Sequence, residues 1–290
     1  MADKRFSDIL TRVVAELTDP QSCKELSHQY CDGEPLPSLA DLNEIIELCR
    51  AVLFPGYFGY SHVTNHTIGF HTGVNLERLH DKLSGQILAA LYFDKRKEAA
   101  HYHASEISAR FVESLPQIRQ QLATDVVAAY EGDPAATSYG EVISCYPVIR
   151  ALSNYRVAHQ LHLLGVPLIP RIITEMAHSE TGIDIHPAAT IGNYFTIDHG
   201  TGVVIGATSI IGDHVKLYQG VTLGAKSFPL DAQGNPIKGI DRHPILEDNV
   251  IVYSNSTILG RITIGRDAVI GGNVWVTEDV APGTKVLQKR

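Results

Sequence analysis

The sequence predicts an α+β chain in two parts, an N-terminal all-α domain followed by a left-handed parallel β-helix built of hexapeptide repeats. Up to about residue 180 aliphatic side chains recur with helical spacing; beyond it they return at every sixth residue, and this second rhythm breaks in two places. The expected division is 1–180 for the helical domain and 181–290 for the β-helix, with a loop at 224–245.

In the first part, "SLADLNEIIELCRAVLF" opens on a capping-box pattern, Ser38 with Asp41, and sets Leu42, Ile45, Ile46 and Cys49 on one face. Similar stripes run through 76–92 (Leu76, Leu79, Leu83, Ile87, Leu91), 115–130 (Ile118, Leu122, Val126) and roughly 147–164. Residues 55–74, rich in Gly, Thr and His, read as a connector between helices.

In the second part, one frame holds Ile185, Ile191 and Ile197, and a second holds Ile205, Ile211, Leu217 and Leu223. A third runs from Leu246 through Val252, Ile258, Ile264 and Ile270 to Val276. A small or β-branched residue often follows four positions later, as at Val215, Val221, Val250, Ala268 and Val274. Short strands joined by tight turns, each sending one aliphatic inward, stack into a continuous core. A β-sandwich would instead require strict alternation, which period six overrides.

A solenoid expels extra residues outward, so the two breaks are where chemistry is expected. The first is the side beginning at Ile197, "IDHGTGVV", which carries Asp198 and His199; the second is the excursion 224–245, which ends in Asp241, Arg242 and His243.

The formal net charge of −8 gives no reason to expect nucleic acid or an anionic membrane as partner. Without an apolar run long enough for a membrane span or a signal-peptide core, a cytoplasmic location is the expectation. Cys23, Cys31, Cys49 and Cys145 lack disulfide-framework or zinc-pair spacing and read as reduced and mostly structural. His62, His66, His71, His80, His101 and His103 have no matching carboxylate or cysteine pattern, so no metal is expected.

The motifs "DIHPAATIG", "DHGTGVVIG", "VKLYQGVTLGA", "DRHPILEDNV" and "IGGNVWV", preceded by "DPAA" at 133–136 and "ALSNYRVAH" at 151–159, resemble serine O-acetyltransferase in order and spacing. The resemblance is specific over roughly 130–280. It implies transfer of the acetyl group of acetyl-CoA to the hydroxyl of L-serine, giving O-acetyl-L-serine and CoA in the first step of cysteine biosynthesis. By the family pattern His199 is the general base, and Asp184 is the carboxylate that orients its ring. Asp133 and Asp198 match residues that hold the serine amino group, and Arg242 and His243 match the pair near its carboxylate and reacting oxygen. A zwitterionic substrate needs charges of both signs in its site. Gly224, Ala225, Ser254 and Gly272 match positions along the acetyl-CoA groove.

The resemblance further implies a homo-oligomer, hexamer or trimer, with sites at subunit boundaries, and feedback inhibition by cysteine. Ala207 departs from the family's "GETA", where a glutamate stands. The end at Lys289 and Arg290 also departs from the terminal isoleucine with which relatives dock into O-acetylserine sulfhydrylase, so a stable complex through the C-terminus is not expected. Two other classes share the repeat. A sugar or amino-sugar acyltransferase would leave the Asp133, Asp198 and Arg242 set without a purpose. A γ-type carbonic anhydrase needs three convergent histidines, and His199, His214 and His243 do not have its spacing.

Overall fold

Helical stripes give way to two- and three-residue strands between Thr181, where the last helix ends, and Asp184, where the first strand starts. The computed structural model describes residues 2–19, 22, 35–59, 63–94 and 100–288; Cys23, Cys31, His62, Lys289 and Arg290 lie outside them. Contacts divide the chain into two compact units, Met1–Pro35 and Leu36–Arg290. The first contains helix α1 (Ala2–Thr18), whose Phe6, Leu10, Val13 and Leu17 are exposed.

The second unit begins with α2 (Leu39–Leu53), α3 (Ile68–Phe93) and α4 (Ala100–Gly132). Ser38 caps α2 by accepting a hydrogen bond from the Asp41 amide at 3.3 Å. The return bond of the capping box comes from elsewhere: the Ser38 amide donates to Gln86 Oε1 at 2.7 Å, while the Asp41 carboxylate accepts from Lys82 and Gln86. The expected connector at 55–74 is shorter than its composition suggests, because Ile68–Val74 already belong to α3. Further along the same helix Leu79, Leu83 and Ile87 are buried in one core with Leu42, Ile45 and Ile46, and the helix, once fixed there, extends back through 68–74 despite the local Gly and Thr content.

Three shorter helices follow, α5 (Tyr139–Cys145), α6 (Pro147–Leu163) and α7 (Ile169–Thr181). Helix α6 is buried on most sides and docks on the first β coil through polar bonds. The Tyr155 hydroxyl donates to the Ala189 carbonyl at 2.6 Å, and Arg156 Nη2 donates to the Gly192 carbonyl at 2.8 Å. The same guanidinium grips Asp125 of α4 with two bonds, of 2.6 and 2.8 Å. Asp125 in turn accepts from the Phe195 amide, so one buried ion pair joins α4, α6 and the solenoid.

Among the described residues fourteen strands wind as a left-handed parallel β-helix with three sheets. Sheet 1 contains β1 (Asp184–Ile185), β4 (Val204–Ile205), β7 (Thr222–Gly224), β10 (Thr257–Leu259) and β13 (Trp275–Val276). Sheet 2 contains β2 (Thr190–Ile191), β5 (Ile210–Ile211), β8 (Ile245–Leu246) and β11 (Thr263–Ile264). Sheet 3 contains β3 (Thr196–Asp198), β6 (Lys216–Tyr218), β9 (Ile251–Val252), β12 (Val269–Ile270) and β14 (Lys285–Val286).

The six-residue positions stack in register, Ile185 on Ile205 on Leu223 in sheet 1, and Ile197 on Leu217 on Val252 in sheet 3. All are buried, and so are Val215, Val221, Val250 and Ala268. Both breaks open at corners: the first at 199–202, between sheets 3 and 1, and the second between β7 and β8, from sheet 1 to sheet 2.

Candidate active site

The corner at 199–202 meets the C-terminal end of α4 in a cleft of about 470 Å³, lined among others by Asp133, Tyr146, Asp198, His199, Thr201 and Lys216. Three of the expected site residues therefore come together here from distant parts of the sequence. His199 has a positive φ of 56°, and Gly200 continues the turn at 91°. A Cβ on Gly200 would lie 2.5 Å from Ile183 Cδ1, so this tight corner requires glycine. The turn throws the His199 side chain outward, 77% exposed, with Nε2 3.8 Å from Asp198 Oδ1.

Asp133 follows the last residue of α4. Its Oδ1 accepts from the Ala135 amide at 2.8 Å and its Oδ2 from the Tyr146 hydroxyl at 2.6 Å. The Tyr146 bond, with the Ala135 amide and the nearby Lys216 and His199, holds Asp133 below the usual carboxylate range. The same bond, together with burial and the charge of Asp133, pushes the Tyr146 phenol up to about 12.

Asp184 starts β1 at the same corner, one coil from His199: its amide donates to the Val203 carbonyl at 2.9 Å. Its carboxylate, however, faces Arg171 Nη1 of α7 at 3.6 Å, and the carboxylate beside the His199 ring is that of Asp198. Glu175 and His178 share this neighbourhood, with the Arg171 guanidinium contacting both Glu175 and Asp184. The strand register thus brings Asp184 and His199 to one edge, while the side-chain pairing between them is not made in this chain.

Arg242 and His243 lie at another edge, where the excursion returns between sheets 1 and 2. Thr208 organises them: its Oγ1 accepts from the Arg242 amide at 2.9 Å and the His243 amide at 3.1 Å. The hydroxyl proton is then left for His243 Nδ1, 2.8 Å away, which also accepts from the Thr208 amide at 3.1 Å. This network assigns the neutral ring its proton at Nε2. Burial, then the charges of Arg242 and Arg261, holds His243 below the usual imidazole value. The ring fits because residue 206 is glycine, where a Cβ would fall 2.0 Å from His243 Cδ2. Arg242 stacks its guanidinium over Phe228 at 5.6 Å, and its buried Nε has no hydrogen-bond partner among the described residues.

The four positions expected along the acetyl-CoA groove divide between two edges of sheet 1. Ser254 and Gly272 stack at the corner column that also holds His199, a Cβ on Gly272 lying 3.3 Å from the Ser254 carbonyl oxygen. Gly224 ends β7, opposite Leu259 of β10, and Ala225 follows it into the excursion.

Reading the sequence missed Tyr146, Lys216 and Thr208. Lys216 stands beside Thr196 on neighbouring strands, and this register, once known, would have placed it next to Asp198. Tyr146 had no sequence signal. Cys49 is buried in the core as expected of a structural thiol, and burial pushes it up to about 12; Cys145 differs, being exposed and lining the cleft.

Residues 243–278 match the family model described as bacterial transferase hexapeptide (six repeats). Over 98% of its length the chain is 48% identical to a plasmid-encoded serine acetyltransferase of Synechococcus elongatus, of which the alignment covers 90%. The chain belongs to the serine acetyltransferase family. Solved structures of serine acetyltransferases agree in fold. Serine acetyltransferase 1 of Entamoeba histolytica, in complex with L-cysteine, superposes with a TM-score of 0.73 at 37% identity, covering 84% of this chain and 85% of that one. The Neisseria gonorrhoeae serine acetyltransferase in complex with serine gives a TM-score of 0.56 at 28% identity, covering 87% and 96%.

Proposed function

We propose that this serine acetyltransferase family member transfers the acetyl group of acetyl-CoA to the hydroxyl of L-serine, releasing O-acetyl-L-serine and CoA, as the first step of cysteine biosynthesis. The observation that carries the reading is the convergence of Asp133, Asp198 and His199 in one cleft. In it, two carboxylates face an ammonium group while an exposed imidazole stands ready for the neighbouring hydroxyl.

In the proposed reaction His199 takes the proton from the serine hydroxyl as its oxygen attacks the thioester carbonyl. The imidazolium returns that proton to the departing sulfur, so the base is regenerated and no other reagent is needed. For Asp184 to orient the ring, its side chain must exchange Arg171 for His199. Arg242 and His243 lie at another edge, so a single chain cannot present them to the same serine molecule. Side-by-side packing of β-helices would bring the sheet 1/sheet 2 edge of one subunit to the sheet 3/sheet 1 edge of the next. The proposed enzyme is therefore a trimer or a hexamer with sites at the boundaries. There the Arg242 guanidinium would receive the serine carboxylate, and His243 would donate from Nε2 toward the reacting oxygen. Gly224, Ala225, Ser254 and Gly272 would line the acetyl-CoA groove along the same boundary.

Cysteine, which shares the amino and carboxylate groups of serine, would compete at the same contacts. A cytoplasmic location is part of the proposal; among the described residues no helix is long and apolar enough to cross a membrane. The test is release of free thiol from acetyl-CoA by the purified protein, with L-serine and with amino sugars as acceptors. Thiol release that depends on serine supports the reading, and release that depends only on a sugar refutes it.

A further inference from the structure

The proposed serine site needs two carboxylates held close together beside the negative end of a helix, an arrangement that opposes itself. Asp133 follows the C-terminus of α4, where terminal carbonyls carry partial negative charge, and Asp198 of β3 lines the same cleft. Left alone, like charges in a cleft repel, and Asp133 sits in a turn with no strand to restrain it.

One cation and one hydroxyl answer this. Lys216, projecting from β6, donates from Nζ to the Gly132 carbonyl at 2.6 Å, and Nζ lies 3.7 Å from Asp198 Oδ2. Its ammonium also lies 4.7 Å from the centre of the Tyr218 ring, and the side chain is 17% exposed. Residue 132 carries no side chain, and a Cβ there would sit 3.4 Å from Nζ, at the edge of contact. A single ammonium thus caps α4, ties it to the β-helix and supplies counter-charge to Asp198. On the other side, the Tyr146 hydroxyl takes one oxygen of Asp133 and the Ala135 amide takes the other. The groups facing Asp133 are Tyr146, Lys216, His199 and Glu141, and Asp198 acts on the Tyr146 hydroxyl from the same cleft. Tyr146 and Lys216 are the ones among them that fix its position without being required by the reaction.

We infer that Lys216 and Tyr146 are positioning residues that lock Asp133 and Asp198 into a preformed receptor for the ammonium group of the amino-acid acceptor. The inference rests on the proposed serine site. Lys216 spends its strongest bond on a backbone carbonyl, which leaves the carboxylates free lone pairs for the substrate. Preorganisation of this kind affects acceptor binding and leaves the acetyl donor untouched.

Steady-state kinetics of the full-length enzyme test it. Lys216→Met and Tyr146→Phe should each raise the KM for serine about ten-fold or more while the KM for acetyl-CoA stays near that of the parent; Lys216→Met, which also removes the tie between α4 and the β-helix, should lower the melting temperature as well. Lys216→Arg, which keeps the cation, should restore most of the serine KM. In an Asp133→Asn background, already weakened for serine, the further effect of Tyr146→Phe should largely disappear, because both act through one carboxylate. Serine KM values within about two-fold of the parent for both Lys216→Met and Tyr146→Phe would overturn the inference while leaving the serine site intact. So would equal losses with and without Asp133. An Asp133→Asn enzyme with unchanged serine KM would instead remove the serine-site reading, and the inference with it. Because Tyr146→Phe deletes a single hydroxyl, it keeps the test decisive if Lys216→Met fails to fold.

Discussion

His199 reaches solvent because the chain inserts two residues into one side of a six-residue rhythm and passes through a left-handed turn to do so. That slip was visible in the sequence as a repeat out of step, and it singled out Asp198 and His199 from fourteen histidines and many acids. Replacing His199 with alanine should lower kcat by about 10²- to 10⁴-fold, the range for a lost general base, with acetyl-CoA binding retained by calorimetry. Gly206→Ala is a subtler change at the other edge. A methyl group 2.0 Å from His243 Cδ2 must push the ring off Thr208, and kcat/KM for serine should fall about ten-fold or more in a protein that still folds. Tyr146, Lys216 and Thr208 could not be read beforehand, because each acts through a residue that only the folded chain brings beside it. The strand register and the packing of α4 against β3 bring Lys216 to Gly132 and Asp198, the return of the excursion brings His243 to Thr208, and the turn through α5 folds Tyr146 back onto Asp133.

At the scale of elements, the six-residue positions marked β1 to β13, because a solenoid repeats one local rule and needs no long-range pairing information beyond it; β14, whose Val286 packs on Ile270, lies past the last frame at Val276. The helices were harder. The stripes of α2 and α6 were clear, whereas α4 extends well before its visible stripe and continues through Pro116. How helices meet the solenoid depends on polar groups that periodicity does not report. Arg156 and Asp125 are 3% and 0% exposed and bonded to each other, so each supplies the opposite charge that offsets the other's loss of water, while backbone groups of the first coil satisfy the remaining atoms. Arg156→Met should leave Asp125 buried without its partner and cost about 3–5 kcal/mol, read as a lower denaturation midpoint in urea.

For the whole molecule, buried histidines set an acid limit on stability. His186 is held down to about 4 from an ordinary 6.5 by burial first, then by the charges of Arg171 and neighbouring histidines. Its folded-state value is depressed, so the neutral ring favours the folded state fully above pH 6.5, and that contribution is lost as pH falls toward 4. His159 and His243 are shifted in the same direction, burial being the largest cause in each. Melting temperature should therefore fall between pH 6.5 and pH 4, and His186→Gln should flatten that fall; parallel curves for parent and variant would contradict it. Cysteine should raise the apparent KM for serine without lowering the rate at saturating serine; inhibition independent of serine concentration would point to a separate site.

The central claim is that serine is acetylated at sites which no single chain completes, since His199 and Arg242 stand at different edges of one β-helix. Co-expression of His199→Ala chains with Arg242→Ala chains tests this most directly, with serine-dependent thiol release as the signal. Each parent alone should be nearly inactive. In an equal mixture about one boundary in four would join an intact His199 to an intact Arg242, and roughly a quarter of the parental enzyme's activity should return. A mixed assembly no more active than the average of its two inactive parents would contradict the account.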